Sequence, residues 1–174
     1  MKLTDNHKPF PITFSGNNTF FADKNCDPYD VFDQMAAILN GSGKTVIFTD
    51  KYCFKHPEQS GYKDKVKYLL KKINAKKLIY CGPSKTDESF FNEVVNELSS
   101  IGCTLEFRHY AGQHDRWWIN PESQSALFGA SLNTIGASKC SVIDITPVYH
   151  EAQDIIDDLK SEGVINGTEW NSTT

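Results

Sequence analysis

His114-Asp115-Arg116-Trp117-Trp118 and, a strand's length further on, Gly129-Ala130-Ser131-Leu132-Asn133 are the residues of this 174-residue chain whose types and spacing suit chemistry. A histidine titrates near neutrality. The arginine two positions on carries a permanent charge and a planar fork of N–H donors that matches phosphate oxygens. Ser131 and Asn133 close a small-residue turn with neutral polar groups. The set suits a phosphate-handling site. The same residues also suit a hydrogen-bonded turn with an internal ion pair, followed by a strand end that Asn133 caps.

The spacing resembles the H-x-K-x4-D-x6-G-S-x-N signature of the phospholipase D-like superfamily. Counted forward from His114, its glycine falls at Ala130, its serine at Ser131 and its asparagine at Asn133. The run Val46-Ile47-Phe48-Thr49-Asp50-Lys51-Tyr52 is similar to the superfamily's early strand, which ends in an aspartate and an aromatic residue. The resemblance implies an α/β fold, a mixed sheet with helices on both faces. It also implies a ligand site at His114, Arg116, Ser131 and Asn133. In active members the histidine attacks phosphorus, the lysine and asparagine hold the non-bridging oxygens, and a histidine from a second copy of the motif protonates the leaving group. This chain carries one copy, so catalysis of that type would need a homodimer with two His114 side chains facing each other.

The departures from the signature shape the expectation. Arg116 replaces the lysine, which keeps the charge but not the compact ammonium. Pro121 stands where the aspartate belongs, and Asp115 sits beside the histidine instead. Some superfamily members with an H-D-R triplet are regarded as binding folds. The expectation is therefore a degenerate site that binds a phosphate-bearing ligand: nucleic acid, nucleotide or phospholipid. The alternatives are a homodimeric, metal-independent phosphodiesterase or nuclease using His114 as nucleophile, and a non-catalytic protein-interaction domain. No metal or cofactor is expected.

Lysines crowd the stretch from Lys51 to Lys77, and Lys63, Lys67 and Lys71 stack on one helical face. Such a run is either a solvated helix face or a contact for an anionic surface. Gly41-Ser42-Gly43-Lys44-Thr45 looks like the end of a phosphate-binding loop, but Ile38 stands at the required first glycine. It also leaves a helix and enters a strand, the reverse of what a phosphate cradle needs.

The elements that must position these residues follow from periodicity. Residues 10–22 alternate about a Gly-Asn-Asn turn and predict a hairpin. Asp27-Pro28 opens a helix that ends at Asn40-Gly41. Strands over 45–50, 77–82 and 104–108, separated by helices over 62–73 and 87–100, predict parallel βαβ units. Past residue 115, strands over 116–120, 126–129 and 141–145 lack crossover helices and predict antiparallel or mixed pairing. A regular strand there puts Trp117 and Trp118 on opposite faces, both in the core. A closing helix over 149–162 turns Ala152, Ile155, Ile156 and Leu159 inward.

The length suits one domain over 1–174, with its core within about 29–162 and a flexible tail over 163–174. The composition is 39% hydrophobic and 23% charged, with a net charge of −4, which argues against a generally basic nucleic-acid binder. Five scattered cysteines without a C-x-x-C pair predict neither a disulfide framework nor a zinc site. The opening residues lack an apolar leader and no run is long enough to span a bilayer, so a cytoplasmic protein without a transmembrane segment is expected.

Overall fold

The computed structural model describes residues 12–15, 19–85, 87–112, 116–121, 124–128, 132–144 and 150–167. β1 (Ile12–Ser15) and β2 (Thr19–Ala22) form the expected antiparallel hairpin, with Ile12 opposite Ala22. α1 (Pro28–Leu39) begins where the Asp27 carboxylate accepts the Tyr29 N–H at 3.0 Å. It ends at Asn40, which takes a left-handed conformation (φ 43°) and donates its N–H to the Ala36 carbonyl. The Gly41–Lys44 stretch is a helix-to-strand turn, closed by the Lys44 N–H on the Gly41 carbonyl at 2.9 Å.

β3 (Thr45–Thr49), α2 (Tyr62–Ile73), β4 (Lys77–Gly82), α3 (Glu88–Ser99) and β5 (Thr104–His109) follow as the βαβαβ pattern requires. The three strands pair in parallel. Asp87 caps α3 by accepting the Phe90 N–H at 2.7 Å. β6 (Arg116–Asn120), β7 (Gln124–Phe128) and β8 (Cys140–Asp144) then pair antiparallel, and β6 also lies antiparallel to β3. β7 starts two residues before its predicted position because Asn120 pairs with Gln124 across a tight connection. β8 starts one residue early. α4 (His150–Ser161) closes the described structure.

The result is one eight-stranded mixed sheet in the order β1-β2-β8-β7-β6-β3-β4-β5. Strand alternation divides its buried side chains between two layers. Val46, Phe48, Leu78, Tyr80, Leu105, Trp118 and Val142 face α1, α2 and α3. Ile47, Ile79, Cys81, Trp117 and Ile119 face α4, which buries Ala152, Ile155, Ile156 and Leu159 against them. Helices therefore cover both faces, and the two tryptophans divide between the layers as predicted. Trp118 stacks on Phe48 with ring centroids 4.3 Å apart, and Phe48 on Tyr80 at 5.2 Å. All five cysteines are buried free thiols.

Two predicted boundaries need correction. The core begins before residue 29, because Ala22 and Cys26 are buried in it. The segment from 163 is not wholly a loose tail: Val164 and Ile165 are buried against α4 and the sheet. Gly163, at φ 68°, permits the reversal that sends the Val164 N–H back to the Leu159 carbonyl at 2.8 Å. Residues 168–174 lie outside the described structure. Among the described residues, no helix is long and apolar enough to cross a membrane.

Candidate phosphate site at the end of β3

β3 and β6 run antiparallel with Thr49 opposite Trp117, so the residue after β3 and the first residue of β6 meet at one end of the sheet. These are Asp50 and Arg116. The Trp117 N–H donates to Thr49 Oγ1 at 3.1 Å, which locks the register there. The Asp50 side chain is fully buried, and its Oδ1 lies 3.7 Å from Arg116 Nε. That separation makes an ion pair but is too long for a hydrogen bond. Asp50 Oδ2 and Arg116 Nε find no hydrogen-bond partner. Burial pushes the Asp50 carboxyl up to about 6, against the opposing pull of the Tyr52 N–H, the Arg116 charge and the Cys53 N–H.

The chain leaving β3 is held tightly. Asp50 Oδ1 accepts the Tyr52 N–H at 2.9 Å, and the Asp50 carbonyl accepts the Cys53 N–H at 3.1 Å. From α2 the buried Tyr62 hydroxyl reaches the carbonyls of both Tyr52 and Cys53, each at 2.9 Å. Phe54 anchors the far side of the turn among Tyr80, Phe90 and Phe91. The Tyr52 ring is left beside the Arg116 guanidinium, whose carbon lies 5.5 Å from the ring centroid. Lys51 and Lys55 place their ammonium nitrogens 5.5 and 5.0 Å from the same centroid. Three cations thus surround one aromatic ring.

Of the motif residues read from the sequence, Arg116 opens β6 with its side chain about one-fifth exposed. It pairs with Phe128, the last residue of β7, so the two halves of the motif extend from adjacent strand positions. His114 and Ser131 lie outside the described residues, as do Asp115, Gly129 and Ala130. Asn133 belongs to a short 3-10 turn, Leu132–Thr134, beside the buried Leu132 and Ile135. Asp50 was legible only as the acidic end of a strand. Its burial against Arg116 depends on a strand pairing across 66 positions of sequence, for which the sequence holds no local signal.

The lysine face needs correction as a free anionic-surface contact. Lys63 pairs with Glu93 at 2.8 Å, Lys67 with Glu93 and with Glu97 at 3.1 Å, and Lys71 with Glu97. The α3 glutamates interleave with the α2 lysines and take up most of their charge. Lys67, Lys71 and Glu97 also border an open groove of about 460 Å³ with Tyr29, Asp64 and Tyr68, whose lining holds both signs of charge.

No family model matches the sequence, and no curated protein matches it. Among solved structures the chain is similar to TrmBL2, an archaeal chromatin protein whose structure shows a novel mode of DNA binding. The match has 9% identity and a TM-score of 0.48, over 86% of this chain and 55% of that one. It is also similar to polyphosphate kinase from Porphyromonas gingivalis, with 12% identity and a TM-score of 0.46, over 82% of this chain and 25% of the kinase. The chain thus spans about half the length of the first and a quarter of the second. The mixed α/β architecture rests on the sheet and helices described above.

Proposed function

We propose that Asp50, Tyr52 and Arg116 are part of a site that binds a phosphate-bearing ligand, completed by His114, Ser131 and Asn133. The observation that carries this reading is Arg116 beside a fully buried Asp50, with Arg116 Nε and Asp50 Oδ2 both lacking a hydrogen-bond partner. A buried carboxylate set against an arginine at this distance aims the guanidinium without saturating it. The planar fork keeps donors for two phosphate oxygens. The pairing of Arg116 with Phe128 supports the rest, since His114 precedes one strand and Ser131 follows the other. The match of this spacing to the phospholipase D-like signature adds the chemical sense. Arg116 and Asn133 bind the non-bridging oxygens, and His114 faces the phosphorus. The replacement of lysine by arginine and the single motif copy favour binding over turnover.

Calorimetric titration with inorganic phosphate and with a phosphodiester tests this. Arg116→Ala should abolish binding, while His114→Ala should weaken it and leave it measurable. A parallel assay for hydrolysis of model phosphodiesters in the presence of a chelator should read zero. Chelator-resistant cleavage that disappears in His114→Ala would replace the binding reading with the dimeric phosphodiesterase. Undiminished binding by Arg116→Ala would remove the site from this end of the sheet.

A further inference from the structure

We infer that the turn leaving β3 extends the Arg116 site into a subsite for ligands that carry two or more phosphates in succession; this rests on the reading of Arg116 given above. The evidence is the grouping of Lys51, Lys55 and Arg116 around Tyr52, within 5.0 to 5.5 Å of its ring centroid. Among the described residues no carboxylate pairs with Lys51 or Lys55, whereas the α2 lysines 63, 67, 71 and 72 are all ion-paired. Three like charges gathered at one strand end repel each other. The negative ring face of Tyr52 offsets part of that repulsion, and Asp50 supplies at most one opposing charge. The excess is positive in a chain of net charge −4.

The backbone that carries these cations is fixed by the Tyr62 hydroxyl on two carbonyls and by the Asp50 turn, so the cluster exists before a ligand arrives. Its breadth decides the ligand. The ring stands among the three cations and spreads them over more than the width of one phosphate. A phosphate held by Arg116 leaves the lysines to a second phosphate of the same ligand. Two sources share that chemistry: an anhydride-linked chain of phosphates and the backbone of a single-stranded nucleic acid.

The test compares inorganic phosphate, tripolyphosphate and a short thymidine oligonucleotide, at fixed salt, on the full chain and on Lys51→Ala/Lys55→Ala. At least one linked-phosphate probe should bind the unaltered protein more tightly than inorganic phosphate. The double variant should lower that affinity roughly tenfold and flatten its salt dependence, while inorganic phosphate stays within about twofold. Which probe shows the lysine-dependent gain identifies the source. Tyr52→Phe should keep the gain and Tyr52→Leu should reduce it severalfold, with matched melting curves excluding a folding defect. Equal loss for all probes, or no loss for any, overturns the subsite while leaving the Arg116 site intact. Phosphate binding that survives Arg116→Ala ends the underlying reading, and the subsite with it.

Discussion

Asp50 governs how much of the Arg116 charge an incoming anion meets. With its carboxyl raised to about 6, it is ionised at pH 7.5 and neutral at pH 5. An anion at Arg116 therefore meets a compensated cation at the higher pH and a free one at the lower. Sulfate does not titrate in this range, so its affinity should rise severalfold as pH falls from 7.5 to 5. Asp50→Asn should be tighter throughout and lose the part of that rise that belongs to the carboxylate. An unchanged pH profile in Asp50→Asn would assign the titration to another group. The same residue predicts a stability effect of fixed sign. Its pKa is higher folded than unfolded, so its contribution is complete below about 4 and lost as pH rises through 6. The loss amounts to roughly 2–3 kcal/mol, and Asp50→Asn should abolish it in urea melts taken across that window.

At the scale of elements, local signals made most of the fold readable. Asp27-Pro28 and Asp87 mark helix starts, Asn40 and Gly163 mark helix ends, and the inward residues of α4 follow the helical period. Strand pairing was less legible, because a register is a contract between two segments. The true start of β7 and the meeting of Asp50 with Arg116 both depend on such registers. The lysine face of α2 failed as an isolated reading for a related reason: its glutamate partners lie on α3, a helix and a strand away. Hydrogen bonds from Lys63 and Lys67 hold the Glu93 carboxyl down to about 2. This stabilisation is present above about pH 4.5 and is lost as pH falls towards 2. Glu93 is two-fifths exposed, so solvent screening limits it to about 1 kcal/mol or less. Glu93→Gln/Glu97→Gln should lower the melting temperature by a few degrees and lose more at low salt than at high salt. Lys67→Ala/Lys71→Ala should leave phosphate affinity within about twofold; a large drop would return the ligand to the helix face.

The molecule as a whole rests on a sheet whose two apolar faces are covered unequally, by three helices on one side and by α4 with the segment after it on the other. The second layer is the thinner one, and it backs β3, β4 and β6, the strands that carry the Asp50–Arg116 end. Its integrity therefore bears on the site through the placement of strand ends rather than through contact with ligand. Val164 and Ile165 contribute to this layer because the left-handed Gly163 folds the chain back against Leu159 and the sheet. Ile165 is 2% exposed, whereas Ile101, at the end of α3, is 55% exposed. Truncating a buried isoleucine removes its transfer free energy and leaves a cavity, so Ile165→Ala should cost roughly 2–4 kcal/mol. Ile101→Ala removes little buried area and should cost less than about 0.5 kcal/mol. Urea unfolding of both variants, with denaturant slopes matching the unaltered protein, provides the comparison. Equal midpoints for the two would mean that the segment after α4 is peripheral and that α4 alone seals this face of the sheet.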